Sequence, residues 1–445
     1  MRPRSITGPL ILVVIGVVFL LNNLGHELPL WSLFTDYWPV LLILLGLVGL
    51  VEVLYHASRG DAIPPRPLSG GGWFWIVLVM FIVWGSNKGG FQLGRLNSGG
   101  ITILGTDFEY DVNLVNPSQG VSRVVLDNIH GNLALKGEES GEVKISGHKT
   151  VRAFNKTEAD RGNEQSQVRV ERQGDLLIVH ADEPHGGKLL NISTDLDITL
   201  PRGINVETRG RNGDLTIEDV QGSVDVSSGR GDVRLNNIGK DVKIESSRTG
   251  LLRAVALKGS LDVQGRGGDV QVEKVVGPVT INGEYSGTLE FKELAKPLHF
   301  TSSRSDFRVE QIPGSVTIDL GEVKINNVVG PLRYSTGSRD IQITDVTNSL
   351  ELTLDRGDVQ VTQTKSPLPK MEVRTRNGDL TLTAPEKASF ELDARTGQGE
   401  AQNDFGSPLE AKSEGRSATL KGRAGGGGPK INLNTERGSV TVRKN

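Results

Sequence analysis

The chain has 445 residues, with 50 Lys and Arg against 53 Asp and Glu and a formal net charge of -3. That balance excludes a basic surface of the kind that holds nucleic acid. With 0 Cys there is no disulfide framework, no thiolate metal site and no cysteine nucleophile. The 56 Gly recur along the chain instead of collecting in one linker, which points to a repeat architecture.

Three apolar runs open the chain: Pro9 to Gly25, Trp38 to Tyr55, and the shorter Trp73 to Trp84. A helix needs ~20 apolar residues to cross ~30 Å of hydrocarbon. The first two runs meet this with their flanks. The third reaches it from Gly70 to Ser86, with Trp73, Trp75 and Trp84 suited to the interfacial belt. A cleaved signal peptide is the rival for the first run, but Asn22, Asn23 and Gly25 make no small-x-small cleavage site. Arg2, Arg4, Arg59 and Arg66 lie before span one and between spans two and three, whereas the first loop has none. The positive-inside rule then puts the N-terminus in the cytoplasm and everything after Ser86 outside. A re-entrant third run would reverse that outcome. Glu52, near the inner end of span two, reads as an interfacial residue. The predicted layout is a two-helix region at 1–58, a cytoplasmic loop and third helix at 59–88, a linker at 89–120, and one domain at 121–445.

From Gly213 onward the dipeptide Gly-Asp, or a near match, returns every 18 or 19 residues, with one interval of 16 and one of 21. Within a period two short runs alternate apolar and polar residues, as with Val233 and Leu235, then Val242 and Ile244. Period-two alternation predicts strands. Each copy has too small an apolar face to stand alone, so copies stack and pair with their neighbours. The predicted fold class is all-β: a parallel β-solenoid of ~18-residue rungs, right-handed by the usual crossover rule, preceded by an α-helical transmembrane region. Ser305-Asp306, Gly321-Glu322 and Arg339-Asp340 count here as ordinary corners. A β-sandwich also uses short alternating strands, but it would not hold one register across so many copies. Lys156 to Gln165 reads as a polar insertion, Val168 to Glu183 as a hairpin, and Ile431–Leu433 and Val440–Val442 as the final strands at the far end.

The corners carry Arg211, Arg230, Arg248, Arg266, Arg304, Arg356 and Arg376, with Asp214, Asp232, Asp269, Asp306, Asp340, Asp358 and Asp379 beside them. Stacking sets like residues ~4.8 Å apart. A bare Asp column would repel itself, so the expected remedy is an Arg column bridging carboxylates above and below. Arg-Gly-Asp, at 59–61, 230–232 and 356–358, is then a product of the repeat and not an attachment signal. His180, Asp182, Glu183 and His185 have zinc-ligand chemistry but no helical register, and read as a solvated turn. Gly265 to Val270 has the form of one calcium-binding nonapeptide, which works only in tandem. No catalytic, cofactor or metal residues are assigned, and no enzyme activity is expected.

Residues 1–58, with basic residues before PLIL, the FLLNNLG end and the WPVLLILLGL start, resemble the LiaI–LiaF-like transmembrane region of bacterial envelope-stress proteins. Residues 121–445, with GDV and GDL corners and the closing GPKINLNTERGSVTV, are similar to the putative-adhesin β-solenoid family. The resemblance implies a non-enzymatic protein of the bacterial inner membrane with its solenoid outside. Three roles follow from it and the composition: binding or scaffolding of envelope glycan or protein; envelope-stress regulation through a membrane signalling partner; and, least favoured, polysaccharide cleavage, for which the loops are too lean. The expected partners are the lipid bilayer and those ligands, and not nucleic acid.

Overall fold

The computed structural model describes residues 105–127, 130–181, 191–407 and 409–445. The three apolar runs, the Arg59 copy of Arg-Gly-Asp and Asp182, Glu183 and His185 lie outside the described residues. Among those described, no helix is long and apolar enough to cross a membrane. Thr102–Asn445 forms one compact unit, whose described residues are strands with a single short helix.

The eighteen-residue period appears directly as strand register. Val224–Ile238 pairs in parallel with Val242–Leu257, with Val224 opposite Val242 and Val226 opposite Ile244. Val242–Leu257 pairs in parallel with Leu261–Val275 in the same way. Each long strand passes through a corner, with the register shifting at it or just before it, and serves two faces of the solenoid. Its inward residues, Val224, Val226, Val233, Leu235 and Ile238, are all buried. The next rung repeats them as Val242, Ile244, Leu252, Ala254 and Leu257. One apolar core runs through the stack from Val112 to Val442. Burial of each Val or Leu side chain is worth about 1.5–3 kcal/mol, and β-branched residues suit the pleated wall.

The stack is not uniformly parallel, which corrects the sequence reading. After Leu298–Thr301 the chain turns back into Ser305–Val309, and the two strands are antiparallel. It continues as Ile312–Ile318, antiparallel to Leu289–Leu294, and turns again into Glu322–Val329. Leu332–Ser338 then pairs antiparallel with Ser305–Val309, and parallel stacking resumes. One rung is thus wound backwards. Ser305-Asp306 and Gly321-Glu322 sit at its two hairpin turns, not at solenoid corners. Larger side chains fill the core here: Phe291, Phe300, Phe307 and Tyr334, the last two edge-to-face with centroids 5.3 Å apart.

Chain order and stacking order also differ at both ends. Lys430–Arg437 lies between Lys370–Asn377 and Phe390–Gln398, parallel to both. The last rung in sequence is therefore the penultimate one in space, which corrects its placement at the far end. At the other end Arg123–Asp127 lies between Leu176–Ala181 and Asn205–Asn212. Antiparallel hairpins close each end, with Val168–Gln173 outside Leu176–Ala181 and Leu409–Glu414 outside Ser417–Ala424. These outer strands carry charges such as Glu171, Glu410 and Lys412, which discourages edge-to-edge pairing.

Two elements depart from the sequence reading near residue 150. Thr106–Pro117, inside the expected linker, is a strand antiparallel to Glu142–Ala153. Its alternation of Phe108, Tyr110, Val112 and Leu114 was a period-two signal. The polar insertion is a helix, Lys156–Gln165. Asn155 caps it by accepting from Glu158 N at 2.9 Å, and Glu158 accepts from Phe154 N at 3.2 Å. Lys149 reaches in from the neighbouring strand and donates to Asn163 O and Ser166 O at the helix end.

Candidate functional site

The corner column is built from carboxylates and backbone N–H groups. Asp232 N donates to Asp214 Oδ1 at 2.9 Å, and Leu251 N to Asp232 Oδ1 at 2.9 Å. Thr288 N donates to Asp269 Oδ1 at 2.8 Å. Beyond the reversed rung, Asp358 N donates to Asp340 Oδ1, Asp379 N to Asp358 Oδ1 and Ser439 N to Asp379 Oδ1, at 2.7–2.9 Å. Each carboxylate thus satisfies the amide of the rung stacked on it, where the bend breaks the regular strand ladder.

Among the described side chains, the expected Arg column does not do this. Among the described residues Arg230, Arg248, Arg266, Arg304 and Arg356 make no ion pair with a corner carboxylate, and Arg376 pairs with Asp355 at 3.4 Å. Arg211 is described in its backbone alone, opposite Ser228. The guanidinium that bridges two successive carboxylates is Arg234, at 2.5 Å from Asp232 and 3.9 Å from Asp214. Arg304 lies in the first hairpin turn, and Asp306 pairs with Arg308 instead. The reason is geometric: the corner Arg precedes the bend, whereas Arg234 follows it on the strand that carries the carboxylate. A consequence separates amide satisfaction from charge. Asp232→Asn keeps the acceptor and is expected to cost under about 1 kcal/mol, whereas Asp232→Ala leaves Leu251 N unpaired and costs about 1–3 kcal/mol. Urea denaturation of both variants checks this; equal losses would restore the charge explanation.

A second column went unread in the sequence. Asp219, Asn237, Ala256, Lys274, Glu293, Asn327 and Asp345 all have φ between 51° and 58°. They form the opposite corner, just before Val220, Ile238, Leu257, Val275, Leu294, Val328 and Val346. Asn and Asp tolerate this left-handed conformation, and their recurrence was the available signal; Ala, Lys and Glu hid it.

Outside the core, each face shows stacked columns. On the first face Glu207, Asp225, Lys243 and Asp262 follow one another. Burial pushes the Asp225 carboxyl above its ordinary 3.8, with Lys243 opposing and Glu207 adding to the rise. A raised acid contributes stability in its protonated form, fully present below 3.8 and lost as pH rises through its folded value. Asp225→Asn is therefore expected to raise the melting temperature at pH 7, a gain that disappears below pH 3.8; thermal scans across pH measure it. On the second face, beyond the reversed rung, runs of uncharged outer residues are stacked: Gln342, Gln360 and Thr381 in one column, Thr344, Thr362 and Thr383 in the next, the latter leading to Arg443.

The reversed rung disturbs the first face and leaves a shallow groove of about 250 Å³ there, lined by Asp306, Arg308, Arg333, Ser335, Glu351 and Thr353. Arg308 grips Asp306 through Nε at 3.0 Å and Nη2 at 2.9 Å, which holds that carboxyl below its usual range. Arg333 pairs with Glu351 at 3.1 Å. His299 Nε2 lies 2.8 Å from Thr301 Oγ1 and 3.2 Å from Asp306 Oδ1. Both partners use the same ring nitrogen, so this is not the hydroxyl–imidazole–carboxylate relay that activates a nucleophile, which needs opposite nitrogens. The groove offers planar donors and acceptors side by side, suited to a ligand rich in hydroxyl groups.

The described residues thus build a stacked, strand-walled solenoid with columns of repeated side chains and a shallow polar groove. The chain belongs to the Toastrack DUF4097 family, whose pattern matches residues 162–443. Residues 6–50 match the LiaI-LiaF-like transmembrane region, which makes the protein membrane-associated. No curated protein matches the chain. Similar solved structures include a putative cell adhesion protein from Clostridium sporogenes, 11% identical over 76% of this chain and 100% of that one, with a TM-score of 0.17. Another is a putative adhesin from Bacteroides fragilis, 13% identical over 78% and 100%, TM-score 0.15. A third, from Parabacteroides distasonis, is 9% identical over 77% and 98%, TM-score 0.19.

Proposed function

We propose that this is a non-enzymatic, membrane-anchored protein of the bacterial envelope whose solenoid binds an envelope glycan at the groove of the reversed rung. The observation that carries this is the pair of opposed ion pairs, Asp306 with Arg308 and Glu351 with Arg333, set into a rigid strand face. The membrane layout is three spans in the inner membrane, with the N-terminus cytoplasmic and the right-handed solenoid outside. The test uses the full chain in lipid nanodiscs and isolated cell-envelope polysaccharide. Binding is expected, and Arg308→Ala with Glu351→Ala should weaken it about tenfold or more, since hydrogen bonds to charged groups contribute about 1.5–3 kcal/mol each. Absence of binding to any envelope fraction, or a reporter fused after Ser86 that proves cytoplasmic, would overturn the reading.

The match of residues 6–50 supports a second reading, in which the membrane region acts on a signalling partner and the solenoid senses the envelope. Deleting residues 1–90 separates the two. Glycan binding by the remaining chain survives under the first reading, and loss of an envelope-stress response on deletion belongs to the second.

A further inference from the structure

We propose that the corner left open by the reversed rung is a binding site for a sugar acid, with the Arg339 guanidinium taking its carboxylate. The site adjoins the outer groove, with Tyr334 common to both, and does not rest on the reading given for that groove. In regular rungs the chain passes from the first face to the second at the Gly-Asp corner. Around the reversed rung it does not. It turns back at Ser302–Ser305, where Ser302 N donates to Ser305 O at 2.8 Å, and again at Asp319–Glu322, where Asp319 N donates to Glu322 O at 2.9 Å. Both turns lie at this same corner. From Val279–Tyr285 through Leu298–Thr301 and Ser305–Val309 to Leu332–Ser338 there are three strand-to-strand steps. At ~4.8 Å each, this leaves ~14 Å of corner with no crossing chain.

Arg339 stands at one side of this opening, at the column position that Gly357 and Gly378 hold in later rungs. Its Nη1 donates to Ser305 Oγ at 2.8 Å, Tyr334 OH at 2.9 Å and Thr336 Oγ1 at 3.4 Å. Its Nε is buried with no hydrogen-bond partner. Three other arginines show what that edge is suited to. Arg152, Arg308 and Arg395 each place Nε and Nη2 on the two oxygens of one carboxylate, of Asp107, Asp306 and Asp393 respectively. Arg339 has the same fork, fixed from behind by three hydroxyls, which is preorganisation for a carboxylate. The strand on the other side of the opening ends at Tyr285, whose hydroxyl is also buried without a partner. Leu320, 73% exposed, sits on the second turn between them in sequence. Carboxylate, hydroxyl and apolar ring face are the three chemistries of a sugar acid. An acidic peptide strand fits less well, because both turns already satisfy their own backbone groups. Glu284 accepts from Ser303 N at 2.6 Å and is committed to the first turn. Because Nε is buried, the two turns, which no backbone crossing ties together, must separate for the ligand to enter.

The experiment titrates the full chain in detergent micelles with D-glucuronate, and with D-glucose and tetraglutamate as comparators, by calorimetry. Glucuronate is expected to bind and the other two not. Arg339→Lys keeps the charge but loses the fork, and should weaken binding about tenfold or more. Arg308→Ala, in the outer groove, should leave it unchanged. The proposal falls if glucuronate does not bind, if Arg339→Lys binds equally, if tetraglutamate binds as well, or if Arg308→Ala abolishes the effect. Should Arg339→Lys fail to fold, phenylglyoxal labelling of the unaltered protein gives the answer. Glucuronate, and not glucose, protects Arg339 from modification; no protection overturns the assignment.

Discussion

Gly357→Ala is expected to destabilise the solenoid by about 2–6 kcal/mol, adding left-handed backbone strain to a steric clash of similar size. Gly357 has φ +130°, and a Cβ there would lie 1.9 Å from Arg339 O of the rung below. The obstacle is backbone, so no rotamer change relieves it. The same contact recurs at Gly231, where the Cβ would lie 2.3 Å from Gly213 O. Gly321 provides the control. It occupies an equivalent position in the eighteen-residue alignment, yet a Cβ there meets nothing within 4 Å. Gly321→Ala should stay within about 0.5 kcal/mol of the parent. Urea unfolding of both variants decides the matter. Equal losses would mean that the sequence period, and not the strand pairing, describes the corner at Gly321. The result also bears on Arg-Gly-Asp at 356–358: its glycine is required by the rung below and its aspartate by Asp379 N above.

The regular rungs were legible because two independent signals agree there, period-two alternation and a Gly-Asp corner every eighteen or nineteen residues. The reversed rung was not, because reversal preserves alternation. Phe307 and Val309 point inward whichever way the strand runs, and a hairpin turn uses the same Gly, Ser and Asp residues as a corner. Ser305-Asp306 and Gly321-Glu322 therefore kept the spacing while changing their structural meaning. The Asp column is legible in the sequence but its partner is not, since an amide N–H leaves no trace there and an Arg does. Arg339 is hidden in the sequence for a related reason. Its place in the series, beside Asp340, made it one more corner, and only its bonds to Ser305, Tyr334 and Thr336 set it apart.

Removing residues 430–445 is expected to unfold more of the chain than the segment itself. If the last rung in sequence were the last in space, its loss would leave Phe390–Gln398 paired as before. Instead Lys430–Arg437 and Val440–Lys444 lie between the rung of Lys370–Asn377 and Leu380–Ala384 and the rung of Phe390–Gln398 and Ala401–Asn403. Ile431, Leu433, Val440 and Val442 are at most 2% exposed. At about 1.5–3 kcal/mol each they contribute about 6–12 kcal/mol, an upper figure because the unfolded chain is not fully extended. Their absence also strips the hydrogen-bond partners from the rungs on either side. In a solenoid each rung is held mainly by its neighbours, so the outer rung and the Leu409–Glu414 hairpin should detach together, while Val224 to Leu294 stays folded. Hydrogen exchange on the truncated chain reads this residue by residue. Protection should vanish across Phe390–Gln398 and Ser417–Ala424 and persist across Val224–Ile238. Intact protection at Phe390–Gln398 would show that the final rung is outermost after all, and that the threading at this end is wrong.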